Sequence, residues 1–160
     1  MNSSESADIK NQHKITNTIY YALILNLIVF FIVVMVIIQN RDVEAGSELD
    51  SIFTFVVPLI GFLVMLISRA IYNRMISNLD SGSNTLNKIA HFRKAKIISW
   101  ALIEGGCFFA LVASIITSNY LYIAVFILLF GYFIMLRPSG ESLKRDMRLN
   151  SEEIDLILRK

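Results

Sequence analysis

Charge, cysteine, proline and histidine are all scarce in this 160-residue chain: 18% of residues are charged, with one Cys, two Pro and two His. Soluble domains carry about a quarter of their residues as charges, so an ordinary polar-skinned globule is excluded. The single cysteine, Cys107, rules out an internal disulfide framework. Within an apolar run a thiol of this kind is expected to be inert packing. His13 and His91 stand in separate segments with no Cys or second His at ligand spacing, so no metal site is expected. The serines lack a His or Lys partner at any persuasive position, which leaves a membrane hydrolase without its nucleophile. A formal charge of +2 is too small to point to nucleic acid. Position 2 is not glycine, so no myristoylation pattern is present.

Apolar residues make up 55% of the chain, and they fall in four long blocks. These run over residues 19–38, 52–68, 97–116 and 121–136. The first and third approach the ~20 residues that cross a ~30 Å hydrocarbon layer. The second and fourth are shorter and need local thinning or help from flanking Tyr72 and Tyr120. Pro58 and Gly61 could kink the second span. The fold expected is all-α: a polytopic membrane protein of four transmembrane helices in two hairpins. The first apolar run is too long for the core of a secretory signal, and the polar residues 1–18 are expected to form an unstructured cytoplasmic tail.

Basic residues set the orientation. Arg41 alone falls in the acidic first loop, while the other 14 Lys and Arg fall in the opening segment, the central loop and the tail. Both termini are therefore expected on the cytoplasmic side. Ile71, Tyr72, Met75, Ile76 and Leu79 keep helical spacing past the second span. The stretch DSGSN, residues 80–84, breaks that helix, and Leu86, Ile89, Ala90 and Arg93 resume it. Residues 69–96 thus read as a cytoplasmic helical hairpin, with anionic headgroups as an optional contact. Beyond Pro138, Leu143 and Met147 suit a further helix. Asn150 with Glu153 caps a last amphipathic helix over 151–159, within a cytoplasmic tail of residues 137–160.

Glu104 is the one acidic residue within a span. Charges there are costly, roughly 2.5–3.5 kcal/mol on insertion scales, and face the bundle interior or serve a function. At 1.5 Å per residue Glu104 lies ~10 Å above the cytoplasmic edge, level with Asn26 and near Tyr132, with Arg69 lower but able to reach up. Asn26, Arg69, Glu104 and Tyr132 thus form a candidate polar layer. Two readings stay open: the layer locks helix register, or Glu104 carries a proton or cation. Gly106, Ala110 and Ser114 form a small-xxx-small face for close helix packing, either within the chain or with a second copy. Gly105 is expected to clear room for a partner side chain of Glu104.

Two families share local motifs with the chain. KIAHFRKAKIISWALIEGG (88–106) and RPSGESLKRDMRLNSEE (137–153) resemble an uncharacterised family of small four-span inner-membrane proteins of Gram-negative bacteria, over about residues 50–155. That resemblance implies topology and no activity. IEGGCFFALVASII (103–116) resembles the carboxylate helix of rotary-ATPase proteolipid subunits, which implies an ion-binding role at Glu104. The chain departs from that family in its glycine-free first span, its single Gly61 in the second and its long central loop. The function expected is non-enzymatic: a protein-interaction or complex subunit of the bacterial inner membrane. Its partners would be the lipid bilayer and a second copy or another membrane protein, with no nucleic acid, cofactor or metal. The alternative is a small proton- or cation-coupled carrier centred on Glu104.

Overall fold

A computed structural model describes residues 3–40, 48–78 and 85–138. They form four helices: α1 (Ser3–Gln39), α2 (Glu48–Ser77), α3 (Thr85–Thr117) and α4 (Leu121–Met135). The first three are long and apolar enough to cross a membrane. The fourth has 15 residues, about 22 Å of helix, and is apolar but shorter than a full span. The break expected at 80–84 and the tail helices beyond Pro138 lie outside the described residues.

Helix α1 corrects the expectation of an unstructured opening segment. It begins at Ser3 and runs 37 residues. Neither Gly nor Pro occurs before position 46, so nothing stops a helix nucleated in the span from propagating backwards. Threonine hydroxyls are absorbed on the way: Thr16 and Thr18 donate to the carbonyls of Gln12 and Lys14 at 2.9 and 3.0 Å. Arg93 of α3 then donates to Oε1 of Gln12, tying this turn to the bundle.

Helix α2 continues through Pro58 and past the apolar block to Ser77, and α3 starts twelve residues before its own block, at Thr85. These extensions pack on each other. His91 Nε2 lies 3.2 Å from the Met75 carbonyl oxygen, and the Tyr72 and Phe92 rings meet edge-on. Lys96, only 5% exposed, places its ammonium 4.5 Å from the Tyr72 ring centre and 5.5 Å from that of Phe92. Cation–π attraction offsets part of the desolvation that burial imposes on this charge.

Helix α3 is the hub, with a packing face toward each of the other three. Half of its apolar window is buried, against 17% for α1 and for α2. The expected pair of sequential hairpins is accordingly corrected: α1 and α2 share no substantial face, and α1 packs in parallel along α3 instead. The register is constant, since Gln12–Arg93, Tyr20–Trp100, Asn26–Glu104 and Phe30–Phe108 are all pairs 78 to 81 positions apart. Aromatic contacts and one hydrogen bond hold that alignment, and among the described residues no comparable face joins α1 to α2.

The core gathers Leu27 and Val34 of α1, Trp100, Ile103, Cys107 and Leu111 of α3, and Tyr122, Phe126 and Phe133 of α4. Large apolar side chains also cover the outside: Phe55, Leu128 and Met135 are 79%, 72% and 82% exposed. A water-soluble bundle keeps its outer faces polar, whereas a bundle apolar all round is suited to lipid.

Candidate functional site

The two ends of the bundle are closed by polar side chains from neighbouring helices. At the end where α4 finishes, the Phe133 and Ile134 carbonyls accept the Leu136 and Arg137 N–H groups at 3.1 and 3.2 Å, and side chains of other helices add further donors. Tyr20 of α1 donates its hydroxyl to the Ile134 carbonyl at 3.0 Å, and Trp100 of α3 donates Nε1–H to that of Leu136 at 3.3 Å. The Tyr20 ring stacks on Phe133 at 5.5 Å and tilts against Trp100 at 5.2 Å. Arg137 sits 6.0 Å over the Tyr21 ring.

At the other end, Asp50, in the first turn of α2, collects the α3–α4 turn. Tyr122 donates to its Oδ1 at 2.7 Å, and the Asn119 amide donates to both carboxylate oxygens at 3.0 and 3.1 Å. Asn119 Oδ1 in turn accepts the Leu121 N–H at 2.9 Å, satisfying a free donor at the start of α4. The turn itself needs a left-handed residue, Ser118 at φ 53°. Neither end group was singled out from sequence. Their signal was nonetheless present, because Tyr20, Trp100, Asp50 and Asn119 all flank the ends of apolar runs, where interfacial aromatics and caps belong.

Between these ends a polar pair lies on the flank of the spans. Asn26 Nδ2 donates to Glu104 Oε1 at 3.0 Å. Asn26 is exposed and Glu104 half-buried, so the pair sits on the outer rim of the α1–α3 seam and not in the core. Asn26 lies six residues beyond Tyr20 and Glu104 four beyond Trp100. Both are thus roughly 6–9 Å into the apolar layer measured from that aromatic cluster.

The other two residues of the candidate layer stand elsewhere. Ser68 is on the face of α2 toward α3, bonding to Ser99 through its hydroxyl (Oγ to Oγ 2.7 Å). Arg69, one residue on, is turned about 100° around the helix. It is exposed, and among the described residues no hydrogen bond or ion pair joins it to Glu104. Tyr132 of α4 shares a face with Val125, seven residues earlier, which lies against Gly61 of α2. It is half-buried on the α2 side of the bundle, with no bond to Glu104.

The glycines also separate. A Cβ on Gly106 would sit 3.3 Å from Val64 Cγ1 and 3.4 Å from Leu129 Cδ1, so this position admits α2 and α4 closely. Ala110 and Ser114 on the same face are fully buried, so the small-residue face is occupied inside the chain. A Cβ on Gly105 would meet nothing within 4 Å. The room expected there for an internal partner of Glu104 is open and faces outward, beside exposed Ala101 and across the seam from exposed Ala22.

Among the described residues no three His, Cys, Asp or Glu side chains converge as a metal site would require. No family model, curated protein or solved structure matches the chain, so the two resemblances drawn from sequence rest on their local motifs alone.

Proposed function

We propose that this integral membrane protein acts without catalysis, by binding another membrane protein along the outer flank of α1 and α3. The carrying observation is the Asn26–Glu104 pair, a hydrogen-bonded amide and carboxyl group opening sideways from an apolar bundle. Hydrocarbon chains neither donate nor accept hydrogen bonds, so polar groups at this depth are costly until protein covers them. In this reading all four helices span a bacterial inner membrane, with both termini and the α2–α3 extensions cytoplasmic. The exposed Lys14, Arg69, Arg74, Lys94 and Arg137 then form a basic collar at the inner headgroups.

A photoreactive residue at Val33, on the flank, and another at Phe55, on the opposite outer face, test this in native membranes. Protein adducts should form from Val33 and not from Phe55. Equal yields from both positions, or none from Val33, contradict the reading.

The carrier reading draws on a different observation, the neutral identity of Glu104's partner. This reading requires a pH-dependent flux in liposomes that Glu104→Gln abolishes without changing thermal stability. A chain that gives no flux, or a variant that keeps it, removes the carrier.

A further inference from the structure

We infer that the partner on this flank is a second copy of the chain, related by a two-fold axis along the membrane normal. The inference rests on the proposed reading of the flank as an interaction surface. The argument begins with donors and acceptors. An Asn amide has two N–H donors and one carbonyl acceptor, and a carboxyl group has two oxygens. One N–H of Asn26 is used on Glu104 Oε1. Among the described residues, the second N–H, the Asn26 carbonyl and Glu104 Oε2 have no partner.

What remains is self-complementary. A second copy brings the same free donor and the same free acceptors, and it brings them at the same depth because its helices cross in the same orientation. Each Asn26 can then bridge its own Glu104 and that of the other copy. Two-fold pairing requires a patch that matches itself, and this one does.

The surface around the pair permits the approach. Ala22 lies one turn before Asn26, and Ala101 and Gly105 flank Glu104; all three are exposed. Gly105 has open space where a side chain would be. Close backbone approach in lipid depends on residues of this size, and the interhelical hydrogen bond then gives the contact its register. The buried Gly106 face cannot serve this purpose, since Val64 and Leu129 already fill it.

The test uses full-length chains with two different tags, co-expressed and treated in native membranes with a short bis-maleimide. Ala101→Cys should give a dimer carrying both tags, whereas Phe55→Cys and the native buried Cys107 should not. Adding Gly105→Leu or Asn26→Leu should lower dimer yield roughly tenfold. Gly105→Leu should do so while leaving the melting of the detergent-dissociated monomer unchanged, because its side chain enters space the single chain does not use. Undiminished dimer in the Gly105→Leu chain overturns the inference. Adducts of Ala101→Cys with a protein of another mass overturn it too, while leaving the interaction reading standing. No adduct from any flank position overturns both.

Discussion

Asn26 and Glu104 are 78 positions apart in sequence and 3.0 Å apart in space, and their hydrogen bond lies on the outside of the bundle. A double-mutant cycle with Asn26→Leu and Glu104→Leu should give a coupling of about 0.6 kcal/mol, and no more than ~2 kcal/mol. Glu104→Gln keeps an acceptor for the amide and should retain most of that coupling. Reversible unfolding in mixed micelles measures both; an absence of coupling would contradict the bond.

The two adjacent glycines should respond oppositely to the same change. Gly106→Leu forces side-chain atoms into Val64 and Leu129 and should destabilise the bundle by about 1–3 kcal/mol. Gly105→Leu should leave the stability of the detergent-dissociated monomer unchanged, because its position is open within the chain. Thermal melts of the two variants decide this, and similar losses from both would show that the faces are assigned wrongly.

Much of this architecture could be read from the chain, and the parts that could not have a common cause. Each apolar run falls within one of the four helices or ends a residue past it, and spacing carried α2 and α3 beyond their runs. Depth arithmetic placed Asn26 level with Glu104, but depth says nothing about direction around a helix. Arg69 and Tyr132 were therefore grouped with them although they stand on other sides of the bundle. The same blindness to direction made Gly105 look internal. The opening segment looked unstructured because it lacks a continuous apolar face, yet cooperativity with the adjacent span extends the helix anyway. The end networks of Asp50 and Tyr20 were missed because their partners are backbone carbonyls and turn residues distant in sequence.

The carbonyls at the end of α4 offer a second stability test. Tyr20→Phe removes one donor while keeping the stacked ring, and should cost about 0.5–1.5 kcal/mol. Amide exchange should rise selectively over residues 133–137 in that variant. Exchange that changes uniformly through the bundle would argue against a local tie.

At the opposite end, Asp50→Ala leaves the Tyr122 hydroxyl and the Asn119 amide without their shared acceptor. The expected loss is roughly 1–3 kcal/mol. In the Asp50→Ala background the Tyr122 hydroxyl keeps the backbone carbonyl of residue 50 at 3.2 Å, so Tyr122→Phe should cost less there than in the unmodified chain. Equal costs of Tyr122→Phe in the two backgrounds would show that the carboxylate network is not what holds this turn.

Whether protein covers the Asn26–Glu104 flank is measured most directly by lipid contact. Val29, on the flank, and Phe55, on the far side, are 52% and 79% exposed in the isolated chain. Nitroxide labels at the two positions, in nanodiscs cut from native membrane, report collisions with oxygen dissolved in the hydrocarbon. The account predicts high oxygen accessibility at Phe55 and strongly reduced accessibility at Val29, restored to the Phe55 level by Gly105→Leu. Equal, lipid-like accessibility at both positions in the unmodified chain would contradict it.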